Sequence, residues 1–389
     1  MKHTRECPES PRWIRNWDRV CLGLLASSMV LNFGCGGKAE SSAPVSTHGP
    51  PSPKLDSWTG TGDMGTGRAN HAATMLQNGR AMVVGGDGLS ANLSSTEVYD
   101  PSTATWTATG SMGVGRSHPT ISLLRNGTVL VAGGGSEPSG LSSTEIWEPA
   151  TGTWTFAGPL KAARTLHAMT QLADGKVLVA GGRGDSGPLA STEIYDPFSG
   201  VWTPSGDMTF ARSSFTITLL RDGRVLAVGG LGRSGPLMSA EIYDPGTGAW
   251  TFAGDTGTAR MDHTATLLPN GKVLVAGGYD LEVLALSQIY DPATGHWTTT
   301  GKLTVARRGH TATALPNGKV LVAGGMDATG SLASTETYDF ATGLWTSIGN
   351  LTSARGRHAA TLISNGAVLV TGGSIAAGTA STSAEIRHF

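Results

Sequence analysis

Apolar and polar positions recur at strand-like spacing along most of this chain. From Arg260 to Gly278 the sequence reads RMDHTATLLPNGKVLVAGG. Two β-type runs, His263–Leu268 and Lys272–Ala276, flank Asn270-Gly271. An Asn-Gly pair between two such runs predicts a hairpin closed by a type I′ turn, in which both central residues take positive φ. The second run ends on Gly277-Gly278.

The design occurs seven times. Gly-Gly pairs begin at Gly85, Gly133, Gly181, Gly229, Gly277, Gly324 and Gly372. Trp-Thr pairs begin at Trp58, Trp106, Trp154, Trp202, Trp250, Trp297 and Trp345, each 27 residues before a Gly-Gly. The units are 48 residues apart except for one step of 47, between Gly277 and Gly324. The missing residue falls between Gly278 and Tyr290, so the connection after Gly-Gly is where length varies. Each unit reads as four strands, a to d. Strand a begins near the position of His71, and an Asn-Gly or Asp-Gly turn leads to strand b, which runs into Gly-Gly. A loop of about eight residues precedes strand c, as in Ser191–Pro197, and a short turn leads to strand d with its Trp. Four short antiparallel strands at a period near fifty residues read as the blade of a β-propeller.

Trp58 is a strand d with no a, b or c before it. The last unit has strand a (His358–Ile363), b (Ala367–Thr371) and c (Ala384–His388) but no d. Pairing the two removes an open sheet edge. The expectation is seven blades, six continuous and one composite. The di-glycine after an apolar strand, then Tyr, then Trp, resembles the kelch repeat over about Ser57 to Phe389. Trp147 and Arg387 depart from the strand-c Tyr. The resemblance implies an all-β, seven-bladed kelch-type propeller in which the N-terminal strand closes the last blade.

Composition narrows the class. Charged residues are 15%, the chain has 56 Gly, and the net charge is −1. There is no basic field for nucleic acid or an anionic membrane surface. The N-terminal segment differs in kind. Lys2, Arg5, Arg12, Arg15 and Arg19 precede an apolar run, Val20–Phe33, too short to span a bilayer as a helix but suited to a signal core. It ends Leu31-Asn32-Phe33-Gly34-Cys35, which resembles a bacterial lipoprotein signal with Cys35 as the lipidated residue. Asn32 stands where that signal has Leu. The alternative is a cleaved secretory signal. The expected organisation is a signal over residues 1–35, a Gly/Ser/Pro tether over 36–56 and the propeller over 57–389. The expected location is the outer membrane or cell surface, alternatively the periplasm or medium. The cysteines are Cys7, Cys21 and Cys35, so the propeller has no disulfide or thiolate site.

Several side chains repeat with the blades. The Trp residues suit inter-blade packing. An Arg precedes strand a in each unit: Arg68, Arg116, Arg164, Arg212, Arg260, Arg307 and Arg355. Strand c opens with Glu97, Glu145, Glu193, Glu241, Glu336 and Glu385, but with Gln288 in one unit. Strands a and c run the same way, so each Arg is expected over the di-glycine, paired with a Glu of its own or the next blade. His71, His167, His263, His310 and His358 start strand a, a structural rather than a metal-binding pattern because equivalent positions stand apart.

Function is expected where a fixed scaffold carries variable loops. The b–c and d–a loops share one face, and the two residues after each repeated Arg should ring the channel mouth there. Asp262, Arg308 and Arg357, with Tyr279, Asp280, Glu282 and Asp327 on nearby loops, form the candidate patch. Galactose oxidase, a kelch-type copper radical enzyme, needs a Cys–Tyr crosslink, a second Tyr and two His. The propeller has no Cys, and five of its six Tyr sit at the strand-c position. The turn Asp291–Trp297 resembles the Asp-box of sialidases, a structural element. The reading is a non-catalytic, monomeric propeller without cofactor that binds a protein or glycan. The alternative is an extracytoplasmic sugar isomerase or lyase with an axial site.

Overall fold

The computed structural model describes residues 57–135, 140–375 and 379–389. The signal with Cys35 and the 36–56 tether lie outside the described residues. Seven four-stranded antiparallel sheets form, ordered a-b-c-d, and among the described residues there is no helix. In blade 1 the strands are Ala72–Met75, Ala81–Val84, Thr96–Asp100 and Thr105–Thr109. Strands a of neighbouring blades touch all round the ring, which makes a the innermost strand.

The composite blade is present. Thr59–Gly60 lies antiparallel to Ala384–Arg387, with Thr59 opposite Ile386 and Gly60 opposite Glu385. Two residues make a short closure, and its neighbours extend it. Thr61 N donates to Ala384 O at 3.0 Å and Met64 N to Thr382 O at 2.9 Å. Trp58 is buried, and its Nε1 donates to Thr335 Oγ1 of blade 6 at 3.3 Å.

Strand b is buried along its whole length in every blade because neighbouring blades cover both of its faces. The core is therefore a ring of inter-blade layers. Leu178 and Ala180 of blade 3 pack with Val225 and Ala227 of blade 4, and Trp58 joins Leu321 of blade 6 to Val368 and Val370 of blade 7. Within a blade the strand-c Tyr and strand-d Trp pair across strands, at 5.1 Å for Tyr99 and Trp106. The indole also reaches backwards: Trp202 Nε1 donates to Thr144 Oγ1 of the preceding blade at 3.2 Å. Burial of the repeated Trp is uneven. Trp58, Trp202, Trp250 and Trp345 are buried, whereas Trp106, Trp154 and Trp297 are only partly covered, since d is the outer strand.

The a–b turn differs from the expected type I′. Gly79 has φ +80°, but Asn78 does not take positive φ. Gly79 N donates to Leu76 O at 3.0 Å and Leu76 N to Arg80 O at 2.8 Å. This is a three-residue loop, a type I turn followed by a left-handed Gly. Asn78 stays right-handed because its Oδ1 accepts from Arg80 N at 3.1 Å. The equivalent bond recurs at Asn126, Asp174, Asp222, Asn270, Asn317 and Asn365.

Candidate functional site at the axial mouth

The di-glycine is where two backbones meet a third. In blade 1, Gly86 N donates to Arg116 O of blade 2 at 2.7 Å. A Cβ on Gly86 would lie 2.5 Å from Ala69 O of its own blade, and one on Gly85 would lie 2.7 Å from Arg116 O. Both glycines also take positive φ, +63° and +98°. No side chain fits at either position.

The repeated Arg locks this corner. Arg68 is fully buried; Nη1 donates to Gly85 O at 2.8 Å and Nη2 to Glu97 Oε1 at 2.6 Å. Glu97 also accepts from Gly65 N at 2.6 Å and Thr66 N at 3.1 Å, stapling the d–a segment. Six blades carry this own-blade ion pair, at 2.6–2.8 Å. Burial lowers the Arg pKa in each, and the Glu opposes that shift. Blade 5 is the exception. Arg260 donates to Gln288 Oε1, and Gln288 Nε2 donates to Thr256 O. Burial pushes Arg260 down to about 10, with Asp280 pulling the other way.

The five strand-a histidines are buried and bond across blades. His167 Nε2 meets Thr120 Oγ1 at 2.6 Å, and His263 Nε2 meets Thr216 Oγ1 at 3.0 Å. Among the described residues no three His, Cys, Asp or Glu side chains come together as a metal cluster.

The variable pair after each Arg forms the mouth of the channel. Its first residue bridges the residue after Gly-Gly, as in Ala69 with Asp87 and Arg308 with Met326. Its second residue is left-handed in all seven blades: Asn70, His118, Leu166, Ser214, Asp262, Gly309 and Arg357 have φ between +48° and +56°. A belt of backbone hydrogen bonds links them. Asn70 N donates to Arg357 O at 2.9 Å, His118 N to Asn70 O at 3.0 Å and Ser214 N to Leu166 O at 3.0 Å. Asp262 N donates to Ser214 O at 3.2 Å, Gly309 N to Asp262 O at 3.0 Å and Arg357 N to Gly309 O at 3.1 Å. The left-handed turn costs a non-Gly residue about 1–2 kcal/mol, and inter-blade bonding offsets it. Backbone and side chain are thus decoupled: the belt needs only N–H and C=O, and each blade is free to present a different side chain.

Asp262 and Arg357 stand on the belt, and Arg308 lies one residue before it. Burial raises the Asp262 pKa, and Arg308, Arg357 and a bond from Ser214 oppose the rise. The Arg308 guanidinium lies over the Tyr279 ring, 4.9 Å from its centre. Asp280 is the charge opposite buried Arg260. Glu282 and Asp327 also line a recess of about 250 Å³ between the b–c loops of blades 5 and 6. Two further axial residues escaped the sequence-based selection. Asn70 Nδ2 donates to Asp87 Oδ2 at 2.6 Å, and His118 Nδ1 meets Ser117 Oγ at 2.8 Å. Burial pushes His118 down to about 4; Asp87 raises it and Arg357 lowers it further. Their position two residues after the repeated Arg was the available signal.

Four stretches, 68–113, 171–209, 220–257 and 307–352, match the Kelch motif. No curated protein sequence matches the chain. Among solved structures, a fungal alcohol oxidase of the AA5 family in complex with copper superposes with a TM-score of 0.69 and 22% identity, covering 86% of this chain and 76% of that one. At that identity the likeness is one of fold. The motif matches fall in different parts of the ring, the seven sheets repeat one hydrogen-bond plan, and the chain is a kelch-repeat β-propeller.

Proposed function

We propose that this propeller is a non-catalytic binding module of the cell envelope, taking a protein or glycan on the face built from the b–c and d–a loops. The carrying observation is the belt: seven equivalent left-handed backbone positions, six of whose seven neighbouring pairs are joined by hydrogen bonds, occupied by seven different residue types. Packing does not require that variety, and a ligand would use it. Asp262, Arg308 and Arg357 supply a carboxyl and two guanidinium groups within electrostatic reach, beside the Tyr279 ring. Such groups hydrogen-bond polar ligands with defined orientation. A glycan array and an affinity pull-down, each with wild type and an Asp262→Asn/Arg308→Ala/Arg357→Ala variant, test the reading. Loss of the captured ligand in a variant that keeps its thermal transition supports it. Equal capture by both proteins overturns it. We read residues 1–35 as the export signal and Cys35 as the lipid attachment site. Cys35→Ser should move the protein from the membrane to the soluble fraction.

The second reading is a carbohydrate-active enzyme with an axial site. Asp262 favours it, since burial makes its carboxyl easier to protonate. Turnover of sugars at the wild-type protein, lost in Asp262→Asn, would establish it. The copper of the similar oxidase does not suit the residues here. The propeller has no Cys, and its five strand-a histidines bond Thr hydroxyls through Nε2 at separate blade interfaces.

A further inference from the structure

A recess lies between the b–c loops of blades 5 and 6. It is lined by Val283 of the blade 5 loop, Val305 and Ala306 of the d–a segment, and Ala328 of the blade 6 loop, with Glu282, Asp327 and Thr329. No basic residue lines it. Asp327 is fixed in place: its Oδ1 accepts from Thr329 N and Thr329 Oγ1, both at 2.7 Å, and from Gly330 N at 3.0 Å. These bonds keep it below the usual carboxylate range, so it is charged at neutral and mildly acidic pH. Glu282 is exposed, next to the tip of a two-stranded hairpin, Tyr279–Asp280 with Glu282–Val283.

The b–c loops of blades 5 and 6 bring Asp280, Glu282 and Asp327 and no cation. The recess thus combines an apolar lining with two carboxylates. A long basic side chain matches both features, because its methylene stem covers apolar surface while its head meets the carboxylates. A volume of about 250 Å³ is enough for one such side chain.

We propose that this recess receives an arginine or lysine side chain of a partner protein, with Glu282 and Asp327 as its two anionic contacts. The proposal rests on the reading of this face as the binding surface and names the partner chemistry. A divalent cation at the carboxylates and a purely apolar group against the wall are the competing occupants.

The test uses N-acetyl-arginine methylamide and its neutral citrulline counterpart as probes of the full chain, followed by saturation-transfer NMR. The arginine probe should bind and the citrulline probe should not. A Glu282→Gln/Asp327→Asn variant should weaken arginine binding by about tenfold or more, as removal of paired charges does. Both changes are at exposed or half-buried loop positions, and an unchanged thermal transition confirms folding. Equal binding of both probes, no binding of the arginine probe, unaltered binding by the double variant, or displacement of the probe by stoichiometric Ca²⁺ overturns the proposal. Arg233→Ala, on the blade 4 loop, should leave probe binding unchanged. Failure here therefore removes the recess alone, and the axial reading stands or falls on its own experiment.

Discussion

Blade 5 and the other six solve the same problem with opposite polarity. In blade 4, Glu241 accepts from Arg212 at 2.7 Å and from the Thr209 and Phe210 amides at 2.7 and 3.1 Å. In blade 5, Gln288 accepts from Arg260 and donates to the Thr256 carbonyl. The d–a segment has turned a carbonyl to where the other blades offer amides. The residue four before the Arg changes with it: Met64, Met112, Leu160, Met208, Leu303 and Leu351 become Thr256, and all seven are buried. The same unit has the shorter b–c loop and presents Asp262 on the belt. A repeat is held by a closed hydrogen-bond set, so one member changes only when its partners change together. Where they have changed, the negative charge has moved from strand c to the rim, at Asp280.

The largest test of this contrast is Glu241→Ala. It strands the fully buried Arg212 and two amides and should cost about 3–5 kcal/mol. Gln288→Ala removes a neutral group and should cost about 1–3 kcal/mol. Urea denaturation of both variants gives the difference; equal losses would mean that the carboxylate has no special role.

Acid should act next. His167 and His358 are pushed down to about 3 by burial, with neighbouring Arg side chains adding to the shift. They are neutral in the fold, and the unfolded chain takes up their protons first. Their stabilisation is complete above the unfolded pKa and is lost as pH falls from about 6.5 towards 3. At about pH 5 each such histidine has lost roughly 2 kcal/mol. Phe215 occupies this position in blade 4. His167→Phe should therefore flatten the slope of stability against pH between 6.5 and 4, measured by denaturation at several pH values. An unchanged slope would show that His167 titrates normally.

Smaller effects follow at turns and at the exception itself. Ala104 takes φ +54° at the c–d turn, where Gly152, Gly200, Gly248, Gly295 and Gly343 stand in other blades. Ala104→Gly, at an exposed site, should add about 0.5–1 kcal/mol. Gln288→Glu should change stability least, within about 1 kcal/mol, because the ion pair it forms with Arg260 is offset by the Thr256 carbonyl left without a donor.

The blade plan was legible in the sequence because it repeats: an invariant Arg, a Glu and a di-glycine at fixed spacing mark one bonded set. The turn was misread because Asn-Gly serves both a type I′ turn and a three-residue loop. Only the backbone bonds, with Asn78 Oδ1 on Arg80 N, distinguish them. The candidate patch was half legible. The variable pair after each Arg was visible as variation, which is how Asp262, Arg308 and Arg357 were found. The recess that Glu282 and Asp327 line was not legible, because Val283, Val305, Ala306 and Ala328 come together only when loops of two blades and the segment between them meet.

Sequence alone determined the number of blades, the strand order and the composite closure, since each depends on spacing along the chain and on which backbone groups need partners. Tertiary structure decided what happens between blades. The left-handed belt is only partly visible in its residues: Asn70, His118, Asp262 and Gly309 favour that conformation, whereas Leu166, Ser214 and Arg357 do not. Six of their seven amides find an acceptor on the neighbouring blade, about 48 residues away or, for Asn70 and Arg357, across the closure of the ring, and those partners exist only once the ring has formed.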